Sequence, residues 1–406
     1  MNNEGVVSAN NLNNNINFDT TPIVDIVNYI LYTAASKGAS DIHFDPAENN
    51  MKVRYRIDGI LDTYMLVPNT AKQNLIARLK ILSGMNITET RLPQDGAIKT
   101  SINGLNLDMR VSSLPTKKGE KIVIRIMDYS LSFRGLESLY FNDINYEKVI
   151  KMIKSPNGII LVTGATGSGK STTVYSMLQR LNNKGTNLIT VEDPVEMEIE
   201  GMNQVQVNSE IGLTFANVLR SVLRQDPNII MIGEIRDSET ARIAIRASIT
   251  GHLVLSTLHT NNSLSTIERL LDMDVERYLL SSAIEGIISQ KLARKLCDKC
   301  KRLRNTTTYE QSVFKKALGM DIKQVYEPVG CPECIEGYKG RIAVQEVLLI
   351  NQEIRDAINN NIRRDELRKI VYTKDVITLL QDGLYKVLAG FTTVEEIIKI
   401  IELDND

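Results

Sequence analysis

The chain has 406 residues, with 48 Lys plus Arg against 49 Asp plus Glu and a hydrophobic share of 43%. That length exceeds one ordinary domain and allows two or three cores. The balanced charge excludes a global basic field for nucleic acid or anionic lipid, and no apolar run approaches the roughly 18 residues of a membrane span. The start, MNNEGVVSANNLNNNINF, lacks the basic and apolar segments of a signal peptide, so a cytosolic protein able to dock on a membrane complex is expected.

The first 17 residues contain eight Asn and few large apolar side chains, which predicts a disordered tail over residues 1–20. Thr21-Pro22 reads as an N-cap followed by proline at the first helical position. Ile23, Ile26, Val27, Ile30, Leu31 and Ala34 then recur at helical spacing. Val53, Tyr55 and Ile57 alternate with Lys52, Arg54 and Arg56, the pattern of a half-buried strand, and Asp58-Gly59 turns it into a hairpin. Residues 69–83 have a helical pattern, and Asn103-Gly104 marks a second hairpin whose later strands carry Arg110 and Arg125. Residues 21–128 are expected to form a small α+β domain, followed by an irregular linker over 129–142.

A helix is expected near Asp143, and the texture then changes. Residues 158–163, 188–192, 229–232 and 253–257 are short apolar runs separated by helical patterns, which predicts a mostly parallel sheet covered on both faces over 143–292. A cysteine-bearing segment, 293–345, and a mostly helical end, 346–406, complete the expected division. In the last part Leu379, Leu380, Leu384, Val387 and Leu388 share one helical face.

GATGSGKST, from Gly164 through Ala165, Thr166, Gly167, Ser168, Gly169, Lys170 and Ser171 to Thr172, lies between the run IILVT and a helical pattern. This is the phosphate-binding loop pattern, in which backbone N–H groups and a helix N-terminus surround phosphate oxygens. Lys170 is placed to reach the β- and γ-phosphates of ATP and Ser171 to ligate Mg²⁺.

Hydrolysis also requires a magnesium carboxylate and a group that orients water. Two acidic clusters follow apolar runs: ITVEDPVE, with Glu192, Asp193 and Glu196, and NIIMIGEIRD, where Gly233 stands in the usual acidic place and Glu234 follows. The longer Glu234 side chain is expected to reach the metal shell through water. His252 and His259, two of only three histidines, flank the next run. Each reads either as a packed strand-end residue or, for His259 above all, as a γ-phosphate sensor.

Cys297 and Cys300, then Cys331 and Cys334 after a 30-residue gap, form two CxxC pairs. Four thiolates suit a closed tetrahedral Zn²⁺ site, with free thiols or redox chemistry as the alternatives.

Taken together, GATGSGKST, TVEDPVE, LRQDPNIIMIGEIRD and GHLVLSTLHTN resemble, in order and spacing, the Walker A, Asp box, Walker B and His box of the type II secretion and type IV pilus ATPases. SDIHFDP, VRYRIDG, RLPQDG and RVSSLPTKKGEKIVIRIMD resemble the smaller N-terminal domain of that family. The resemblance implies an α/β fold: a RecA-like P-loop ATPase domain, a smaller PAS-like α+β domain and a zinc-binding subdomain. It further implies a cytosolic homo-hexamer docked on an inner-membrane platform protein, with ATP, Mg²⁺ and Zn²⁺. By position Glu192 becomes the general base, Glu234 the magnesium-linked acid, and Arg110 and Arg125 the charges that stabilise the transition state. Solvent-facing arginines on alternating strands are the other reading of that pair. Arg220 and Arg224, i and i+4 on an expected helix, are candidates for a subunit bridge.

The four-cysteine segment resembles the assembly and secretion branch, and the retraction branch typically lacks it, which favours pilus extension. A type II secretion or DNA-uptake motor is the alternative within the branch. A nucleic-acid-translocating ATPase is disfavoured by the neutral charge balance and the absence of Trp, and no nucleic-acid partner is expected. With about 20 residues ahead of the small domain, recruitment and cyclic di-GMP control through a further N-terminal domain are not expected.

Overall fold

The computed structural model describes residues 17–127, 135–373 and 375–402. Residues 1–16 of the tail expected over 1–20, and residues 128–134, which include the start of the linker expected over 129–142, lie outside them, whereas residues 17–20 form a turn in which Thr20 N donates to Asn17 O. The chain divides into two compact units, residues 1–128 and 129–406.

In the first unit, α1 (Ile23–Ser36) begins at Pro22 with no side-chain cap, so the cap expected at Thr21 is not formed. β1 (Ala39–Pro46), β2 (Asn50–Ile57) and β3 (Ile60–Pro68) precede α2 (Asn69–Leu82), and β4 (Gln94–Ile102), β5 (Leu105–Thr116) and β6 (Gly119–Met127) follow. They form one antiparallel sheet in the order β3-β2-β1-β6-β5-β4. The Asp58-Gly59 and Asn103-Gly104 turns join β2 to β3 and β4 to β5, and all four residues have positive φ. That geometry matches the right-handed strand twist. Because strand side chains alternate, Ile42, Phe44, Met51, Val53, Met109, Val111, Ile122 and Ile124 face one core with α1 and α2. The opposite face keeps its charges, including Arg110 and Arg125.

The second unit starts with α3 (Asp143–Ile153), whose N-terminus is capped by the Asn142 side chain on Asn145 N. β7 (Gly158–Thr163), α4 (Lys170–Leu181), β8 (Leu188–Glu192), β9 (Asn203–Gln206), α5 (Phe215–Val222) and β10 (Ile229–Ile232) follow. Next come α6 (Ser238–Ile249), β11 (Leu253–Leu258), α7 (Ser263–Asp272), α8 (Arg277–Ala283) and β12 (Ile284–Leu296). The chain continues through β13 (Arg302–Asn305), α9 (Thr308–Leu318), β14 (Gln324–Glu327), β15 (Tyr338–Leu349), α10 (Gln352–Asn359), α11 (Arg364–Val371), α12 (Leu379–Leu388) and α13 (Val394–Glu402).

The main sheet runs β15-β12-β7-β11-β10-β8-β9, parallel except for β15 at one edge. β7, β8, β10 and β11 are buried along their whole length, which explains their unbroken apolar sequences. β12 and β15 run from this sheet into the cysteine segment, so residues 293 and 345 both fall inside strands of the main sheet. Their mixed sequences, IEGIISQKLARKL and YKGRIAVQEVLL, lack the uniform apolar texture of the other strands.

Candidate active site

The parallel strands end on one side, and the loops that leave those ends carry the chemistry, as open α/β sheets require. From β7 outward the tips of β7, β11, β10 and β8 bear, in turn, the 164–169 loop, His259, Glu234 and Asp193.

The loop closes on the first turn of α4. Lys170 Nζ donates to the carbonyl oxygens of Gly164 (2.8 Å) and Ala165 (3.1 Å). Burial pushes the Lys170 ammonium below its ordinary pKa, partly opposed by the charge of Glu234. Ala165, Thr166 and Gly167 are exposed, and Ser171 presents its side chain at the helix start. Ser168 Oγ is buried and has no hydrogen-bond partner, a donor left over for an anion in the loop.

Glu234 sits two residues past β10. Its Oε1 accepts from Arg236 Nη2 (2.5 Å) and its Oε2 lies 3.1 Å from His259 Nε2. Arg236 also reaches Asp193 Oδ2 at 3.2 Å, so one guanidinium joins the two acidic clusters. Burial works against the charge on Glu234, but contacts with Arg236 and His259 outweigh it and hold the carboxyl below the usual range. Gly233 fills the expected acidic place for a packing reason. A Cβ there would lie 3.3 Å from Val191 O and 3.4 Å from Glu192 Cα, because the tip of β10 runs close against β8.

Glu192 differs from expectation. It is 3% exposed, and its carboxylate accepts from Tyr175 Oη, from Thr190 Oγ1 (2.6 Å) and from Gln204 Nε2 (3.2 Å). A buried carboxylate already holding three donors turns no edge to water in this arrangement, so action as the general base requires these contacts to open when nucleotide binds. The signal lay in the strand: Leu188, Thr190 and Glu192 share one face, which points inward at α4. Glu196 of the same loop is only half-buried.

His252 Nδ1 lies 2.9 Å from Ala247 O, a packed strand-end contact, whereas His259 is exposed beside Glu234. Arg220 pairs with Glu239 on α6, and Arg224 lies beyond the end of α5, folded back on Arg220 O at 2.6 Å. The two do not form the expected helical pair. In the first unit Arg110 and Arg125 are registered neighbours on β5 and β6, and Arg125 Nε donates to Asp41 Oδ1 at 3.0 Å.

Among the described residues, Cys297, Cys300, Cys331 and Cys334 bring their sulfurs within 4.8 Å of one another. The Cys297–Cys331 separation is 3.9 Å, and both Cys300–Cys334 and Cys331–Cys334 are 3.6 Å. Four sulfurs about 2.3 Å from a tetrahedral zinc would stand about 3.8 Å apart, whereas a disulfide needs about 2.05 Å. The cluster therefore fits a metal, and Cys331 N donates to Cys334 Sγ at 3.2 Å, a bond that favours the thiolate. The sequence reading missed Tyr175 and Gln290, which touch this machinery without belonging to a named motif, and gave no role to Arg236, which lies within the Walker B segment.

The sequence profile of the family described as "Type II/IV secretion system protein" matches residues 17–399. The chain is 43% identical over 380 residues to a putative type II secretion system protein E of Escherichia coli, covering 93% of this chain and 77% of that protein. It is 44% identical over 386 residues to the type IV pilus assembly ATPase PilB of Acinetobacter baylyi, covering 94% and 67%. The crystal structure of the pilus retraction motor PilT with bound ADP superposes with a TM-score of 0.62 at 27% identity, covering 92% of this chain and 96% of that one.

Proposed function

The chain belongs to the Type II/IV secretion system protein family, its activity is ATP hydrolysis, and we propose that this activity drives type IV pilus assembly. The gathered cysteines support the assembly and secretion branch over a retraction motor, because a four-cysteine segment resembles that branch, and the match to a pilus assembly ATPase supports pilus extension within it. In this reading the chain acts as a homo-hexamer at the inner face of the cytoplasmic membrane, on an inner-membrane platform protein. Among the described residues no helix is long and apolar enough to cross a membrane.

ATP phosphates occupy the loop from Gly164 to Thr172, with Lys170 neutralising charge that develops on the terminal phosphoryl group. Ser171 and Glu234 hold Mg²⁺, which supplies charge compensation at the phosphates. Glu234 orients the attacking water, supported by its contacts with Arg236 and His259, and His259 reads the γ-phosphate. Arg110 and Arg125 supply further positive charge to the transition state. Cys297, Cys300, Cys331 and Cys334 hold a structural Zn²⁺. Residues 21–128 serve as the small domain, and the second unit carries the ATPase core, the zinc subdomain between β12 and β15, whose bounds lie inside the expected 293–345, and the helical end.

A second reading, a type II secretion motor, is favoured by relatives of that kind that match as closely as the pilus relative, at 43% against 44% identity. Deleting the gene separates the two. Loss of surface pili and twitching with secretion intact supports pilus assembly, and intact pili with lost secretion supports the second reading.

A further inference from the structure

Gln290 lies on β12, one residue beyond Ser289, which is the last residue of β12 in register with β7, opposite Thr163. It therefore stands level with Gly164, where the chain leaves β7 to form the phosphate loop. Its side chain is 2% exposed, and its amide nitrogen and oxygen each have a partner. Nε2 donates to the carbonyl oxygen of Ser168 at 2.6 Å, and Oε1 accepts from Thr173 Oγ1 at 2.7 Å in the first turns of α4. The orientation of the amide follows from chemistry. A carbonyl oxygen only accepts, so the nitrogen must face Ser168 and the oxygen must face the hydroxyl.

The loop glycines fit around this residue. A Cβ on Gly164 would fall 2.3 Å from Gln290 O, and one on Gly169 would fall 2.8 Å from Gln290 Nε2. The consequence concerns one peptide unit. In a trans peptide the carbonyl and the following N–H point in opposite directions, so fixing the Ser168 carbonyl on β12 turns the Gly169 N–H away from β12. Phosphate loops bind their anion through N–H groups turned in that way. Without the clamp the peptide is free to rotate, and ordering it would be charged against nucleotide binding.

We propose that Gln290 is a positioning residue for ATP turnover, acting from the neighbouring strand to hold the Ser168–Gly169 peptide in the phosphate-receiving orientation. This rests on the loop from Gly164 to Thr172 being the ATP site. The clamp lies outside the phosphate-loop pattern. Gln290 touches loop backbone, not substrate, and its effect falls on binding before it falls on chemistry.

The test uses the full chain and compares Gln290→Glu, the nearly isosteric Gln290→Met, and Thr173→Val. It measures KM and kcat for MgATP between about pH 6 and pH 8, together with the affinity of a fluorescent ADP analogue. At about pH 8 the Gln290→Glu carboxylate opposes the Ser168 carbonyl, and KM should rise roughly tenfold, the worth of one buried hydrogen bond, with kcat changed less. Burial beside a carbonyl oxygen favours the protonated acid, so the KM gap should narrow towards about pH 6 as the O–H donor returns. Gln290→Met should show a loss of similar size without pH dependence. Equal, pH-independent losses in both variants, or values within about twofold of the parent throughout, would overturn the proposal. Should Gln290→Glu not fold, Thr173→Val carries the test: a KM rise of roughly threefold supports the clamp, and an unchanged KM overturns it. Lys170→Ala is the control for the underlying reading, because parent-like nucleotide affinity in that variant would remove the loop itself as the ATP site.

Discussion

Tyr175 on α4 donates its phenolic hydrogen to Glu192 at the end of β8, inside the P-loop unit. Burial, followed by the Glu192 charge, pushes the Tyr175 phenol well above its ordinary pKa, so the proton stays on the tyrosine. The pair braces α4 against β8 and takes Glu192 out of contact with water.

Glu192→Gln should therefore keep hydrolysis within roughly tenfold of the parent, while Glu234→Gln should lose at least about a hundredfold. Tyr175→Phe should cost about 1–2 kcal/mol of stability by leaving a buried carboxylate short of one donor. Phosphate release and urea unfolding measure both effects. Background activity in Glu192→Gln with parent-like activity in Glu234→Gln would reverse the assignment.

Arg236→Ala should move the acid limb of the pH–rate profile upward. The Glu234 carboxyl is held below its usual range, so in the parent its anion, and any stability the anion provides, persists above the unfolded-state pKa and disappears only as pH falls through the lower folded value. Removing the guanidinium leaves burial less opposed, the folded pKa rises, and protonation begins at higher pH. An unmoved acid limb in steady-state assays would show that Arg236 does not tune this acid.

The sequence made the parallel strands and the phosphate loop legible, because uniform apolar runs and a glycine-rich turn each have a single local cause. β12 and β15 were not legible as strands, since they mix charge with apolar residues and their antiparallel partnership spans more than forty positions. The acids were half legible. Both follow strands, but which way a carboxylate turns depends on a tyrosine from another element and on the close approach of Gly233 to β8, neither of which any motif records.

Lys80 on α2 is 0% exposed and pairs with Glu120 on β6, while its ammonium also donates to Glu89 O at 2.7 Å. Lys80→Met leaves Glu120 buried without its cation and should destabilise the first unit by about 3–5 kcal/mol. The double variant Lys80→Met, Glu120→Leu should recover much of that loss, as read from urea midpoints. Equal destabilisation in both would mean that packing, not charge, sets the cost.

Native mass spectrometry should find one zinc per chain, and Cys297→Ser should lower both metal content and melting temperature. Zinc binding requires thiolates, so retention should weaken as pH falls. A stable, active chain free of metal would remove the zinc assignment.

The most direct measurement is the rate of phosphate release from MgATP by the purified chain beside Lys170→Ala and Glu234→Gln, with folding verified for all three. The account predicts hydrolysis by the parent and a fall of at least about a hundredfold in each variant, since Lys170→Ala removes positive charge from the reacting phosphate and Glu234→Gln removes the acid that would hold Mg²⁺ and orient water. Turnover within a few-fold of the parent in either variant would contradict it.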